Sequence, residues 1–159
     1  RLDDGNDLRA LREVVELRIA LDLSVADRLV EQYRGTANPE LEGLIGQMRD
    51  LASTGRPFPE ADAAFHTALY SCLGNRLLRQ LAQAFWEIHT VAVPLLGLPP
   101  AEDILDTVDA HHAMLSSLEA GDADAYREAV LAHYRPLGRA LDAASGQAAR
   151  DASMRTPTG

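Results

Sequence analysis

From Leu8 to about Tyr33 the chain repeats apolar residues at helical spacing: Leu8, Leu11, Val14, Val15, Leu17, Leu21, Val25 and Leu29. Steps of three and four put them on one side of an α-helix and predict one long amphipathic helix. Gly35 follows its end, and Asn38-Pro39 opens a second helix with proline in the first turn. Leu41, Leu44, Ile45, Met48 and Leu51 carry that helix, which stops in the loop signature Ser53-Thr54-Gly55-Arg56-Pro57. A third helix starts near Pro59 on Phe65, Leu69 and Leu73 and breaks at Gly74-Asn75. A fourth, roughly Arg76 to Leu96, holds Leu77, Leu78, Leu81, Phe85, Ile88, Val91 and Leu95. Pro94 should kink or end it, and Gly97 to Pro100 read as a loop.

The fifth helix runs from about Ala101 to Ala120 on Ile104, Val108, Leu115 and Leu118. Gly121-Asp122 is a tight turn, with Gly121 ending one helix and Asp122 capping the next. The sixth, about Ala123 to Ala144, shows Tyr126, Val130, Leu137 and Leu141. After Ser145 periodicity is lost and the segment reads as a frayed or disordered tail. No strand pattern, internal repeat or linker interrupts this series. The expected fold is all-α, an antiparallel bundle of about six helices. It comprises one domain over residues 1–145 and a flexible tail over 146–159.

Composition narrows the function. Hydrophobic residues make up 47% of 159 residues, enough for one buried core. Fifteen basic residues stand against 24 acidic ones, a net charge of −9. Binders of nucleic acid carry a basic face, so direct contact with DNA from this chain is not expected. The single Cys72 excludes an internal disulfide, and its apolar setting suggests a buried structural thiol. No apolar run approaches the ~20 residues of a membrane span. The start, Arg1-Leu2-Asp3-Asp4, does not resemble a signal peptide, so a cytoplasmic location is expected. It also lacks methionine, which suggests that an upstream part is missing.

The candidate chemistry lies in five histidines: His66, His89, His111, His112 and His133. Asp62 and His66 are four apart, an advance of ~400° that puts both on one helix face beside Phe58, Phe65 and Leu69. Buried there, they need partners. His111 lies eleven residues before Asp122 and His133 eleven after it. At 1.5 Å per residue each sits ~16 Å up its helix from the turn, so an antiparallel hairpin holds them level. Each also falls on an apolar stripe, Val108-His111-Leu115 and Val130-His133-Leu137. Three imidazoles and a carboxylate suit a divalent transition metal such as Zn, Ni or Mn. The plainer reading is separately hydrogen-bonded core histidines. His112 rivals His111, because Val108, His112 and Leu115 also form a stripe.

His89, near Phe85 and Trp86, either lines the same interior or faces solvent. Arg18 is either a surface arginine whose stem covers apolar area or an anchor for an anionic ligand. Asn75 after Gly74 is first of all a helix N-cap. No H-E-x-x-H, G-x-S-x-G or phosphate-binding glycine loop is present. Two alternatives stay open: a metal-dependent hydrolase or lyase on a helical bundle, and a purely structural metal that staples the helices.

Five pieces together resemble the FCD domain, the C-terminal ligand-sensing domain of FadR-type regulators in the GntR family. They are ELRIALD (Glu16 to Asp22), DAAFHTAL (Asp62 to Leu69), GNRLL (Gly74 to Leu78), HHAMLSSLEAGDADAYREAV (His111 to Val130) and His133. Their order and spacing are specific, and the resemblance covers roughly Asp7 to Ala140. It implies metal ligands at Asp62, His66, His111 and His133, and no enzyme. It further implies a small carboxylate effector assisted by Arg18. Beside that implication, Asn75 and His89 are kept as further candidates for the effector site. An upstream winged helix-turn-helix domain that contacts DNA and a homodimer are implied as well.

Overall fold

The stripe that predicts one long first helix is broken at Val25. The computed structural model describes residues 5–95 and 104–155. In it α1 spans Gly5–Ser24 and α2 spans Ala26–Tyr33. The Ser24 hydroxyl donates to the Leu21 carbonyl at 2.7 Å, and Val25 leaves the helical region with φ −98° and ψ 0°. Such back-bonding competes with the helical ladder and favours a bend. One predicted helix becomes two, and α2 directs Leu29, Val30 and Tyr33 into the core.

The remaining elements are α3 (Pro39–Ser53), α4 (Pro59–Tyr70), a 3-10 turn (Ser71–Leu73), α5 (Arg76–Leu95), α6 (Ile104–Ala120) and α7 (Ala123–Arg155). Among the described residues there are seven α-helices and no strand, so the all-α bundle holds. Leu73 belongs to the 3-10 turn rather than to α4, and Gly74 ends that turn at φ 67°, a left-handed conformation suited to glycine. The caps follow the residues expected for them. Asn38 Oδ1 accepts from Leu41 N–H at 3.1 Å, and Asn75 Oδ1 from Leu78 N–H at 3.1 Å.

The α6–α7 hairpin is the spine of the molecule. Gly121 has φ 77°, its N–H bonds the Leu118 carbonyl at 3.0 Å, and Asp122 N–H bonds the Ser117 carbonyl at 2.9 Å. This paired closure satisfies the last carbonyls of α6. Asp122 Oδ1 then accepts from Ala125 N–H at 2.9 Å and starts α7. Around the hairpin, α1 packs on α7, α3 on α6, α4 on α3, and α5 on α4 and α1. Phe65, Leu69, Val108, Leu118, Tyr126 and Val130 are fully buried between them.

The expected tail after Ser145 is corrected: α7 continues to Arg155. The segment is rich in alanine, the best helix former. Ala144 and Ala148 pack on the core, and Gln147 donates to Asp151 one turn on, at 2.8 Å. Arg12 of α1 meets Asp142 of α7 at 2.8 Å just before it. The predicted loop at Gly97–Pro100, the ends of the fourth and fifth helices around Leu96 and Ala101, the N-terminal Arg1–Asp4 and the last four residues lie outside the described residues. Among the described residues no helix is long and apolar enough to cross a membrane.

Candidate metal centre

Three helices place the cluster. Asp62 and His66 come from one face of α4, His111 from α6 and His133 from α7, and all four are buried. One ligand atom from each lies within 4.8 Å of the others. Asp62 Oδ1 is 2.7 Å from His111 Nε2, 3.3 Å from His66 Nε2 and 3.7 Å from His133 Nε2. The Nε2 atoms of His66 and His133 are 3.4 Å apart. The hairpin thus brings His111 and His133 to one level, with ring centroids 4.5 Å apart. His112 points outward, and its Nε2 meets Ser116 Oγ at 3.5 Å. Of the two neighbouring histidines, only His111 joins the cluster.

The protonation of His111 tests the fit to a cation. Its Nδ1 lies 2.7 Å from the Thr107 carbonyl, which can only accept, so Nδ1 carries the hydrogen. A neutral His111 then presents its Nε2 lone pair to a carboxylate oxygen 2.7 Å away. Two lone pairs at that distance repel unless a proton or a metal cation lies between them. An Nδ1–H bonded to a backbone carbonyl with Nε2 left free is also the usual arrangement of a metal-binding histidine.

Burial sets the electrostatics. It would raise the Asp62 carboxyl, but the adjacent His111 and contacts from all three imidazoles outweigh it and hold Asp62 well below the usual carboxylate range. Burial pushes His66 well below the usual imidazole range against the pull of Asp62. His133 is pushed down to about 4 by burial, with His111 adding to the effect. Neutral imidazoles and an ionised carboxylate are the forms that ligate. The buried Nδ1 atoms of His66 and His133 have no hydrogen-bond partner among the described residues.

A second polar group sits beside the cluster. Arg18 of α1 is 5% exposed, which settles its orientation inward. Its guanidinium carbon lies 3.9 Å from the Trp86 ring centre and 5.3 Å from that of Tyr134. No hydrogen bond or ion pair to Arg18 occurs among the described residues. Trp86 of α5 is also 5.1 Å from His66 and 4.9 Å from His89, centre to centre. His89 is half-buried, and burial lowers its pKa to about 4. Behind Arg18, Asp22 accepts from the hydroxyls of Tyr70 and Tyr134, the latter at 2.5 Å. Burial raises Asp22 against the opposing effects of Arg18 and the two tyrosines.

Asn75 is exposed at the start of α5 and spends its side chain on the cap. Cys72 is half-buried, its thiol donating to the Leu69 carbonyl at 3.4 Å. The sequence reading missed Asp22, although a signal was present. Leu8, Leu11, Val15, Arg18, Asp22 and Val25 step by three and four, and all are buried. That stripe, with two polar members, is the true inner face of α1.

The bundle thus buries a carboxylate–histidine cluster and, from α1, an inward arginine. The sequence profile of the FCD domain matches residues 13–136, and the chain belongs to that family. Over 98 residues it is 43% identical to NedR of Micromonospora viridifaciens, named as a transcriptional regulatory protein, covering 62% of this chain and 70% of that one. It is 26% identical over 132 residues to proteins of Escherichia coli (strain K12) and Shigella flexneri named as L-lactate dehydrogenase operon regulatory proteins. Those matches cover 76% of this chain, which spans 47% of the length of each. No solved structure matches the chain.

Proposed function

We propose that this chain is the effector-sensing domain of a bacterial transcription regulator, and that Asp62, His66, His111 and His133 hold one divalent transition metal, Zn, Ni or Mn. The observation that carries the reading is the convergence of four buried ligand atoms within 4.8 Å. The His111 Nδ1 hydrogen bond supports it by freeing Nε2. When bound, the metal supplies Lewis acidity for an oxygen of a small carboxylate. Arg18 anchors the carboxylate's charge by a forked hydrogen bond, and His89 borders the same interior. DNA contact belongs to an upstream winged helix-turn-helix domain, and two chains pair as a homodimer. The effector regulates only if it binds one arrangement of that pair better than the other.

Metal content by inductively coupled plasma mass spectrometry tests the site. We expect about one divalent ion per chain, lost in His111→Ala/His133→Ala. In the loaded protein a small carboxylate should raise the melting temperature, and Arg18→Ala should abolish that rise. A wild-type chain that takes up no Zn, Ni or Mn would reduce the four residues to a hydrogen-bonded patch.

A further inference from the structure

Helix α5 is apolar on two faces. Ala82, Phe85 and Trp86 turn inward, yet Leu77, Leu81, Ile88 and Val91 remain 72%, 40%, 42% and 66% exposed. With Ala84, also exposed, these recur at positions 77, 81, 84, 88 and 91. The steps alternate between four and three, the repeat of a coiled-coil seam. Scattered exposed apolar residues are ordinary on any surface, but a seam running ~21 Å along one helix is not.

The charges of α5 are complementary to those of a second, antiparallel α5. The chain carries −9 overall, which opposes self-association, but α5 itself holds Arg76, Arg79 and only one acid, Glu87. The arginines lie in its first turn and Glu87 beyond its midpoint. A parallel pair of α5 helices would set like charges side by side, whereas an antiparallel pair sets opposite charges together. One antiparallel register pairs four of the five seam positions, with Val91 beyond the start of the partner's α5: Leu77 faces the partner's Ile88 while Leu81 faces the partner's Ala84. In that register Arg76 lies ~3 Å along the axis from the partner's Glu87, within reach of a salt bridge.

We propose that α5 pairs antiparallel with α5 of a second copy of this chain through this seam. The inference gives the proposed homodimer its face and is independent of the metal. Sedimentation equilibrium of the chain tests it. The expected mass is twice 17.2 kDa. Leu81→Glu/Ile88→Glu should raise the dimer dissociation constant by at least about a hundredfold, because it puts charge into an apolar seam. Far-UV circular dichroism of that variant should be unchanged. Glu87→Arg alone should weaken the dimer, and adding Arg76→Glu should restore it. A monomeric wild type overturns both the pairing and its face. A dimer that is indifferent to Leu81→Glu/Ile88→Glu, or a charge swap that does not restore pairing, overturns the face alone. Oxidative cross-linking reads the direction: Leu81→Cys/Ala84→Cys should cross-link and Leu81→Cys alone should not, while the reverse result overturns the antiparallel register.

Discussion

Three histidines are kept neutral because the interior will not accept their charge. His66 lies well below the usual imidazole range, and His89 and His133 are each lowered to about 4. In the unfolded chain the same side chains titrate near 6.5. The unfolded state therefore binds protons first as pH falls, and stability present above pH ~6.5 is lost progressively toward pH ~4. His133 alone contributes about 3 kcal/mol of that loss by pH 4. Thermal melts of the metal-free chain from pH 7 to pH 4 should show a falling melting temperature. A flat profile across that interval would mean that these imidazoles already carry charge in the fold. The residues behind this behaviour were unevenly legible. Asp62 and His66 share a helix face by spacing, and the tight turn at Asp122 levels His111 with His133. Arg18 over Trp86 was not legible, because α1 and α5 meet only through the tertiary fold. Asp22 is hidden from apolar periodicity because it is a polar residue on the inner stripe.

At the scale of elements, turns and caps were the most readable features. Asn38, Asn75 and Asp122 each accept a backbone N–H from three residues on. Replacing Asp122 with alanine should cost about 1 kcal/mol in denaturant melts, because one amide at the start of α7 loses its partner. An unchanged midpoint would mean that the α6–α7 turn is held by Gly121 and the backbone alone. The two misjudged elements have local causes. The break at Val25 lies beside Ser24, whose hydroxyl bonds the Leu21 carbonyl. Helix α7 outruns its apolar pattern because alanine sustains a helix without contributing a large apolar side chain to the periodicity.

For the whole molecule, the cluster ties α4, α6 and α7 together, and α1 adds Arg18 from the side. Helix α5 has a different position. Its inner face carries Trp86 against Arg18 and His66, and its outer face carries the exposed seam. Only the thickness of one helix separates the buried site from the proposed pairing surface. Trp86 also lines a groove of about 730 Å³ between α4 and α5.

Trp86 is the only tryptophan in the chain. Its indole lies under a guanidinium, whose positive charge alters excited-state emission, and beside two neutral imidazoles. The protein thus carries an intrinsic fluorophore against Arg18, the proposed anion anchor. Emission should change on ligand addition to the unlabelled protein, and the change should vanish in Arg18→Ala while the indole remains. A spectrum indifferent to every ligand that raises the melting temperature would place binding elsewhere.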